Sequence, residues 1–294
     1  MEAQQWFLQY RPLLLRLAYR ILGSYSDAED IVQDVFVEMN GRDLTDIRNP
    51  KAYLTKTVAN RSINVLKSAR RTKETYVGPW LPEPALGVAP DEPGDAVEHR
   101  ESLSYAFLVL LERLTPEERV AFVLREALGY EYAEISDLLD KSEAACRQLY
   151  SRARRKLPQS SAAASAHAGK ADGFARAFLQ ASETGDFRPF VRLLARDAGL
   201  LTDGGGKVRA ATKTVAGRER IAKLFEGIAP KGFFEGDAQL VRQGADVGVR
   251  LTRDGATAWV AFFEPTPDRS ALQSVFIVLN PDKLRYAGPS DRPV

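Results

Sequence analysis

Apolar and polar residues alternate at helical spacing over the first 73 residues. The apolar positions of a first helix are Phe7, Tyr10, Leu14, Leu17 and Ile21. Gly23 ends this helix, and a capping box formed by Ser26 and Glu29 predicts a second helix over 27–40. Asn49-Pro50 predicts the start of a third helix that continues to about Lys73.

The pattern breaks after residue 73 and resumes near Asp95. The intervening VGPWLPEPALGVAPDEPG contains five prolines and three glycines, so it is neither a helix nor a central strand. It is a linker or a segment laid over another surface. Helical pattern then continues to Leu157, with Thr115, Pro116 and Glu118 forming a second capped start.

A Ser/Ala-rich stretch at 160–169 separates the helical part from an α+β pattern. Helices are predicted over 171–194 and 217–226, followed by a hairpin that turns at Asp254-Gly255. ALQSVFIVLN and KLRYAG predict two more strands. The predicted domains are 1–75, a Pro-rich linker at 76–97, 98–158, and 170–294.

Composition narrows the class of protein. At 294 residues, with 45% hydrophobic and 27% charged residues, the chain is expected to be soluble and to fold as two or three domains. It has no apolar run of the ~18–20 residues that a membrane span needs and no signal peptide, and its one cysteine fits a reducing cytosol. We therefore expect a cytoplasmic protein without membrane contact.

The net charge of +2 conceals a strong segregation of charge, most evident in the third helix. Between Lys56 and Lys73 there are six basic residues and no acid. A solvated face normally mixes signs, because like charges four residues apart repel. A face of Lys, Arg and Asn suits a polyanion instead. Its candidate DNA-binding residues are Lys56, Asn60, Arg61, Asn64, Lys67 and Arg71.

A second basic surface follows from residues 130–157. YEYAEISDLL predicts a short helix, DKS a turn and SEAACRQLYSRARRKL a second helix, which is the helix-turn-helix arrangement. Cys146 falls on the inward face and is interpreted as a packing residue. The outward positions that would meet DNA are Ser142, Glu143, Ala144, Arg147, Gln148, Ser151, Arg152 and Arg155.

The second predicted helix has the opposite charge, with five acids and no base over 27–38. Its first acids favour the helix dipole, but Asp34 and Glu38 lie too far along for that explanation. A broad apolar stripe runs beside them, so a protein-binding surface is a fair hypothesis. Its candidate residues are Asp27, Asp30, Ile31, Gln33, Asp34, Val35 and Glu38.

The order of these features resembles that of extracytoplasmic-function sigma factors over roughly residues 5–157. The resemblance rests on YRPLLLRLAYRILGSYSDAEDIVQDVFVEMN, NPKAYLTKTVANRSINVLKSARR and LTPEERVAFVLREALGYEYAEISDLLDKSEAACRQLYSRARRKL. It implies that the acidic helix docks on the clamp helices of the largest subunit of core RNA polymerase. It also implies that helix 54–71, with loop 41–49, melts and reads the minus-ten promoter element, and that the helix-turn-helix reads the minus-thirty-five element.

Three short motifs resemble those of the sigma subgroup with a fused SnoaL-like (NTF2-like) domain. They are WLPEP (Trp80, Leu81, Pro82, Glu83 and Pro84), DGGGK (Asp203, Gly204, Gly205, Gly206 and Lys207) and NPDKL (Asn280, Pro281, Asp282, Lys283 and Leu284). The implied fold is two all-α sigma domains followed by an α+β cone. The implied regulation is intramolecular, by contact between the fused domain and the sigma core.

From the residues alone, each motif has an ordinary alternative. WLPEP is a stiff extended peptide with an aromatic anchor, or a plain spacer. DGGGK lacks the spacing of a phosphate loop and is a docking segment or a hairpin turn. NPDKL has the composition of a turn.

Catalysis finds little support in this chain, for which no cofactor and no metal are expected. His99 and His167 stand alone, and Asp203, Asp237 and Glu264 show no paired acid/base pattern. A small-molecule ligand in an apolar cone is an open alternative, with six aromatic residues as its candidate lining: Phe225, Phe233, Phe234, Trp259, Phe262 and Phe263. The alternatives to a sigma factor are a helix-turn-helix regulator and a DNA-tethered isomerase or ligand sensor.

Overall fold

The computed structural model describes residues 2–40, 44–86, 104–157 and 171–288. The chain divides into two compact units. The first joins Met1–Glu74 with Leu108–Ser161, and the second joins Thr75–Phe107 with Ala162–Val294. The described part of the Pro-rich linker therefore belongs with the C-terminal residues. Several predicted features lie outside the described residues: His99, His167, the boundary at 160–169, residues 41–43 of the loop at 41–49, and the rest of the linker.

The first unit is built of helices. They are α1 (Glu2–Leu22), α2 (Tyr25–Met39), α3 (Pro50–Glu74), α5 (Pro116–Leu128), α6 (Tyr132–Leu139) and α7 (Glu143–Lys156). Between α3 and α5 lies α4 (Tyr105–Leu111), whose first three residues belong to the second unit.

Local sequence signals account for most of the helix ends. Thr115 accepts a hydrogen bond from the Glu118 N–H while the Glu118 carboxylate accepts one from the Thr115 N–H, which confirms the predicted capping box. Gly129, with φ of 68°, then ends α5. The cap of α2 is different from the prediction: the Ser24 hydroxyl, not that of Ser26, accepts from the Asp27 N–H at 3.1 Å. Gly23 lets the chain turn tightly enough for Ser24 to take this position.

The predicted helix-turn-helix is confirmed as α6 and α7. Asp140 ends α6 in the left-handed conformation, φ 51°, which Asp tolerates better than most residues. Ser142 caps α7 by accepting a hydrogen bond from the Ala145 N–H. Cys146, Leu149 and Ala153 form its buried side, so the charged residues of α7 face outward.

Within the second unit, six strands of the described residues form one open curved sheet of order β2-β1-β6-β5-β4-β3. They are β1 (Leu194–Asp203), β2 (Val215–Ala216), β3 (Asp237–Gln243), β4 (Asp246–Arg253), β5 (Ala256–Pro265) and β6 (Leu272–Val278). The β1–β6 pair is parallel and the other pairs are antiparallel. The predicted hairpin is β4–β5, with positive φ at Asp254 and Gly255.

Helices α8 (Ala171–Thr184), α9 (Arg188–Arg192) and α10 (Arg218–Ile228) cover one face of the sheet. On β5 the side chains of Trp259, Ala261 and Phe263 point into the core beneath these helices. Val260 and Phe262 alternate to the opposite face, yet both are buried. Both faces of this strand are therefore covered.

Two predicted elements of this unit are wrong. The single helix over 171–194 is interrupted at Gly185, which takes φ of 72°, and residues from Leu194 onward form β1. KLRYAG is not a strand but part of two 3-10 turns, Pro281–Lys283 and Arg285–Ala287. Asn280 starts the first turn because its side chain accepts a hydrogen bond from the Asp282 N–H.

None of the helices that the structure describes is long and apolar enough to cross a membrane.

Candidate promoter-binding faces and linker-binding site

The predicted minus-ten residues lie along one side of α3, and three of them are ion-paired within the first unit. The Lys56 ammonium lies 2.5 Å from the Asp140 carboxylate and donates to the Asp137 carbonyl at 2.8 Å. Arg61 pairs with Glu38, and Lys67 lies 3.5 Å from Glu117. Asn60 is half-buried and Asn64 is exposed, whereas the side chain of Arg71 lies outside the described residues.

The predicted minus-thirty-five residues all lie on the exposed side of the helix-turn-helix: Ser142, Glu143, Ala144, Arg147, Gln148, Ser151, Arg152 and Arg155. Arg147 is held over the Tyr132 ring, 5.3 Å from its centre, and pairs with Glu143 at 2.6 Å. The exposed acid Glu143 stands at the start of α7 and the cations follow it along the helix. This face can thus present hydrogen-bonding groups to base edges and positive charge to phosphates.

The α2 surface differs from the prediction at two positions. Ile31 and Val35 are 6% and 1% exposed, so the apolar stripe of α2 packs inside the unit and is not an open docking surface. The polar candidates are exposed: Asp27, Asp30, Gln33, Asp34 and Glu38. Val37, which sequence reasoning missed, is 64% exposed among them. Val37 lies outside the helical apolar stripe in the sequence, and this position could have indicated that its side chain is exposed.

In the second unit, the three motifs WLPEP, DGGGK and NPDKL come together around Asp203. Its carboxylate is fully buried and accepts four hydrogen bonds, from the Tyr76 hydroxyl at 2.6 Å, the Leu81 N–H at 2.9 Å, the Gly205 N–H at 3.1 Å and the Lys283 ammonium at 2.8 Å. Its carbonyl accepts from the N–H groups of Leu279 and Asn280. One side chain thus joins the linker to both C-terminal motifs.

Lys283 supplies the opposite charge and is only 5% exposed. Its ammonium donates to the Leu81 carbonyl at 2.7 Å and stands 3.3 Å from the centre of the Trp80 ring. It lies 5.0 Å from the Tyr76 ring. A buried ammonium needs this combination of carboxylate, carbonyl and aromatic faces to replace its water.

Tyr76 is the member of this cluster that sequence reasoning missed. Its hydroxyl accepts a hydrogen bond from the Asn280 amide at 2.9 Å while it donates to Asp203, and its ring packs edge-on against Trp80 at 4.6 Å. Burial, followed by the bond to Asp203, raises the pKa of Tyr76 well above its usual value, so it stays a donor. A tyrosine four residues before the WLPEP tryptophan was the only sequence signal.

Two glycines of DGGGK lie so close to neighbouring atoms that a side chain would not fit there. A Cβ on Gly204 would lie 2.2 Å from the Val208 carbonyl oxygen, and one on Gly205 would lie 2.3 Å from the Asn280 amide nitrogen. Gly205 also has φ of 61°. The ends of the two motifs pair outside this cluster, where the exposed Lys207 and Asp282 meet at 2.6 Å.

The other motif residues pack around the same network. Leu81 is fully buried, Pro82 and Pro84 are buried, and Glu83 and Leu284 are 8% and 6% exposed. Pro281 is exposed. The WLPEP segment is therefore bound along its length, in contrast to a plain spacer.

The candidate catalytic and ligand-binding residues named above are engaged in packing or hydrogen bonds, or lie on the surface. The Asp203 carboxylate is hydrogen-bonded within the linker network, and Asp237 is exposed on β3. Phe225, Phe234, Trp259 and Phe263 surround Phe178 with ring centres 5.2–6.0 Å away, so a ligand at this place would have to displace core side chains. Phe262 faces the other side of the sheet. Among the described residues, no group of His, Cys, Asp or Glu side chains is placed to hold a metal.

Known proteins share both the sigma regions and the fold of this chain. Sigma-70 region 2 matches residues 6–72, and Sigma-70 region 4 matches residues 104–157. The chain is 36% identical to the ECF RNA polymerase sigma factor SigJ of Mycobacterium tuberculosis over 247 residues, 82% of this chain and 78% of SigJ. It belongs to the extracytoplasmic-function (ECF) RNA polymerase sigma factors.

Other similarities agree with this assignment. The probable ECF sigma factor SigI of M. tuberculosis is 34% identical over 63% of this chain and 64% of SigI. The crystal structure of M. tuberculosis SigJ matches with a TM-score of 0.76 at 30% identity, over 96% of this chain and 98% of that one. The similarity to SigJ thus extends through the C-terminal unit. The predicted family is confirmed, and so is the predicted fold class of helical sigma domains followed by an α+β domain, whose sheet is open.

As an ECF sigma factor, the protein is a promoter-recognition factor of RNA polymerase, and its α3 and α7 fall within regions 2 and 4. The matches to regions 2 and 4 leave residues 73–103 and the C-terminal unit outside. The linker network lies in these unmatched residues.

Proposed function

We propose that this sigma factor is controlled in cis by its C-terminal unit, which holds the linker between regions 2 and 4 through the Asp203–Lys283 network. The observation that carries this proposal is the buried ion pair itself, because both of its members also bind the Leu81 backbone. Each of the two charges loses its hydrogen bond to Leu81 when the linker leaves. Release of the linker is thereby coupled to a change in the C-terminal unit.

The free energy with which the C-terminal unit binds the linker is large enough to control promoter output. Complete burial of Leu81 contributes about 1.5–3 kcal/mol, and the hydrogen bonds to charged groups about 1.5–3 kcal/mol each. The prolines on both sides of Glu83 reduce the entropy that docking costs. Regulatory coupling in proteins is typically 1–3 kcal/mol, so partial loss of these contacts is sufficient.

We assign the six predicted residues of α3 to the minus-ten element and the eight predicted residues of the helix-turn-helix to the minus-thirty-five element. Arg147, Gln148 and Arg152 have the side chains that read base edges, and Arg155 suits a phosphate. The polar residues of α2 are assigned to core RNA polymerase: Asp27, Asp30, Gln33, Asp34 and Glu38.

The two promoter faces are close together within the first unit. Lys56 of α3 pairs with Asp140, only two residues before the α7 cap Ser142. The two promoter elements, in contrast, are centred roughly 25 base pairs apart, which is about 85 Å of B-DNA. Regions 2 and 4 must therefore separate before both can bind one promoter, and the arrangement described is that of the sigma factor off DNA.

The test is transcription in vitro with core RNA polymerase. The full chain should open a promoter that core polymerase alone cannot open, and absence of opening would contradict the sigma assignment. A fragment ending at Pro158 should differ from the full chain in output by at least about fivefold, the lower range of allosteric coupling. Equal output of the two proteins would remove the regulatory proposal.

A further inference from the structure

Tyr105, the first residue of α4, is held by the sheet of the second unit. It is 1% exposed, and its ring stacks on Phe262 with centres 4.2 Å apart and planes 17° from parallel. The Phe276 ring lies 5.9 Å away on the same side. Tyr105 thereby covers the sheet face that lies opposite the helices.

The polar atoms of Tyr105 are bound as well. Its hydroxyl donates to the Pro82 carbonyl at 2.7 Å, and its N–H donates to the Asp246 carboxylate at the start of β4. The Ser104 hydroxyl accepts from the Phe107 N–H in the same turn. A carboxylate at this place suits a helix start, where unpaired N–H groups point outward.

The other end of the undescribed linker segment is bound nearby. The Ala85 N–H donates to the Gln243 side chain at 2.9 Å, and the Leu86 N–H donates to the Tyr286 carbonyl at 3.0 Å. Gln243 and Asp246 are paired opposite each other at the end of the β3–β4 hairpin. One hairpin tip thus binds Ala85 of the described linker and Tyr105, the first residue of α4, while Tyr286 binds Leu86.

We propose that the tip of the β3–β4 hairpin, Gln243 and Asp246, together with Phe262, is a second linker-binding site that holds the start of region 4. We call it the hairpin clasp. None of its residues belongs to WLPEP, DGGGK or NPDKL. The proposal rests on the control in cis proposed above and deepens it, because the Asp203 network holds the region 2 side of the linker and the hairpin clasp holds the region 4 side.

A plain packing role would explain the Tyr105 ring but not its other contacts. Phenylalanine would fill the space beside Phe262 equally well, whereas the hydroxyl joins Tyr105 to the WLPEP backbone. The Asp246 carboxylate is half-buried and needs a donor to remain there. The arrangement therefore favours a site that recognises this particular segment.

Hydrogen exchange of the full-length chain, followed by mass spectrometry at one pH, tests the clasp directly. Asp246→Ala should raise the exchange rate at 105–107 about tenfold, equivalent to ~1.4 kcal/mol. Gln243→Ala should raise exchange at Ala85 by about fivefold, and exchange at 76–81 should stay as in the wild type for both. The control is Gln239→Ala, on the same strand and outside the clasp. Unchanged exchange at 105–107, or an equal rise at 76–81, would overturn an independent clasp.

Two further measurements cover the remaining outcomes. Tyr105→Phe keeps the ring and removes the bond to the Pro82 carbonyl, so it should raise exchange at Glu83, whose N–H belongs to the same peptide group, even if Asp246→Ala does not fold. Promoter output then separates the two proposals. If Asp203→Ala changes output and Asp246→Ala does not, despite faster exchange, the clasp has no regulatory role and control in cis stands. If neither variant changes output, control in cis itself fails.

Discussion

At the scale of single residues, removal of either charge of the linker network should destabilise the second unit. The Asp203 carboxylate accepts from three neutral donors besides Lys283, and the Lys283 ammonium donates to the Asp203 carboxylate and to the Leu81 carbonyl. Removal of one partner from a buried pair leaves the other charge to bear its desolvation.

We expect Asp203→Ala to lower the free energy of unfolding by about 3–5 kcal/mol, because it removes the Asp203 carboxylate from the buried Lys283 ammonium. Lys283→Met should cost roughly 1–3 kcal/mol, since Asp203 keeps its three neutral donors. Denaturant unfolding of the full chain measures both. Lys207→Ala, which breaks an exposed pair, is the control and should cost at most ~1 kcal/mol. A control as damaging as Asp203→Ala would contradict the network.

Asp246 predicts a pH dependence. Burial raises the pKa of Asp246 to about 6, although the Tyr105 N–H lowers it. An acid whose pKa is higher in the folded state binds protons on folding, so its contribution to stability increases as the pH falls from about 6 to about 4. When the pH is lowered from 7 to 4.5, the melting temperature of the wild type should therefore fall less than that of Asp246→Asn, or should rise. If the two proteins show the same change in melting temperature, Asp246 makes no contribution.

At the scale of elements, α7 combines two kinds of contact that mutations can separate. Substitution of Arg147, Gln148 or Arg152 by Ala should relax base preference at one position, by about 1–3 kcal/mol. Arg155→Ala should weaken binding to all sequences and reduce the slope of log affinity against log salt by about 1. Anisotropy titrations of promoter fragments with single-base changes measure both. An Arg155→Ala variant that changes base preference would contradict the assignment.

The sequence predicted elements well where one local signal decides. Hydrogen bonds or dihedral angles of neighbouring residues set the helix starts at Thr115 with Glu118 and at Pro50, and the hairpin turn at Asp254-Gly255. It failed where tertiary packing decides. Leu194 continues an apolar pattern compatible with a helix, but it pairs with Leu272 in the sheet. Ile31 and Val35 form a stripe as wide as a docking surface, yet α1 and α3 use all of it.

The linker site shows the same division. Its three motifs were identified by resemblance, and their glycines and prolines indicated bound, turn-rich segments. Their meeting at Asp203 could not be predicted, because it depends on strand register: β1 and β6 are parallel, and Asp203 pairs with Val278 just before Asn280. Tyr76 and Tyr105 carry no motif at all. Their roles depend on contacts with residues far along the chain, Asp203 for Tyr76 and Asp246 for Tyr105.

At the scale of the whole molecule, the division into units cuts across the order of the chain. Region 2 and region 4 from Leu108 onward belong to one unit, while the described part of the linker and the first residues of region 4 belong to the other. While the C-terminal unit binds the linker, the linker cannot extend between regions 2 and 4 when they separate along a promoter. We therefore expect the C-terminal unit to control promoter output.

Transcription in vitro by core RNA polymerase and the full-length Trp80→Ala variant tests this claim most directly. The substitution removes the ring that lies 3.3 Å from the Lys283 ammonium and leaves regions 2 and 4 intact. Arg209→Ala, an exposed cation in the same unit, is the matched control. We predict that Trp80→Ala changes promoter output by at least about fivefold while the control does not. Equal output from the wild type, Trp80→Ala and Arg209→Ala would contradict control by the C-terminal unit.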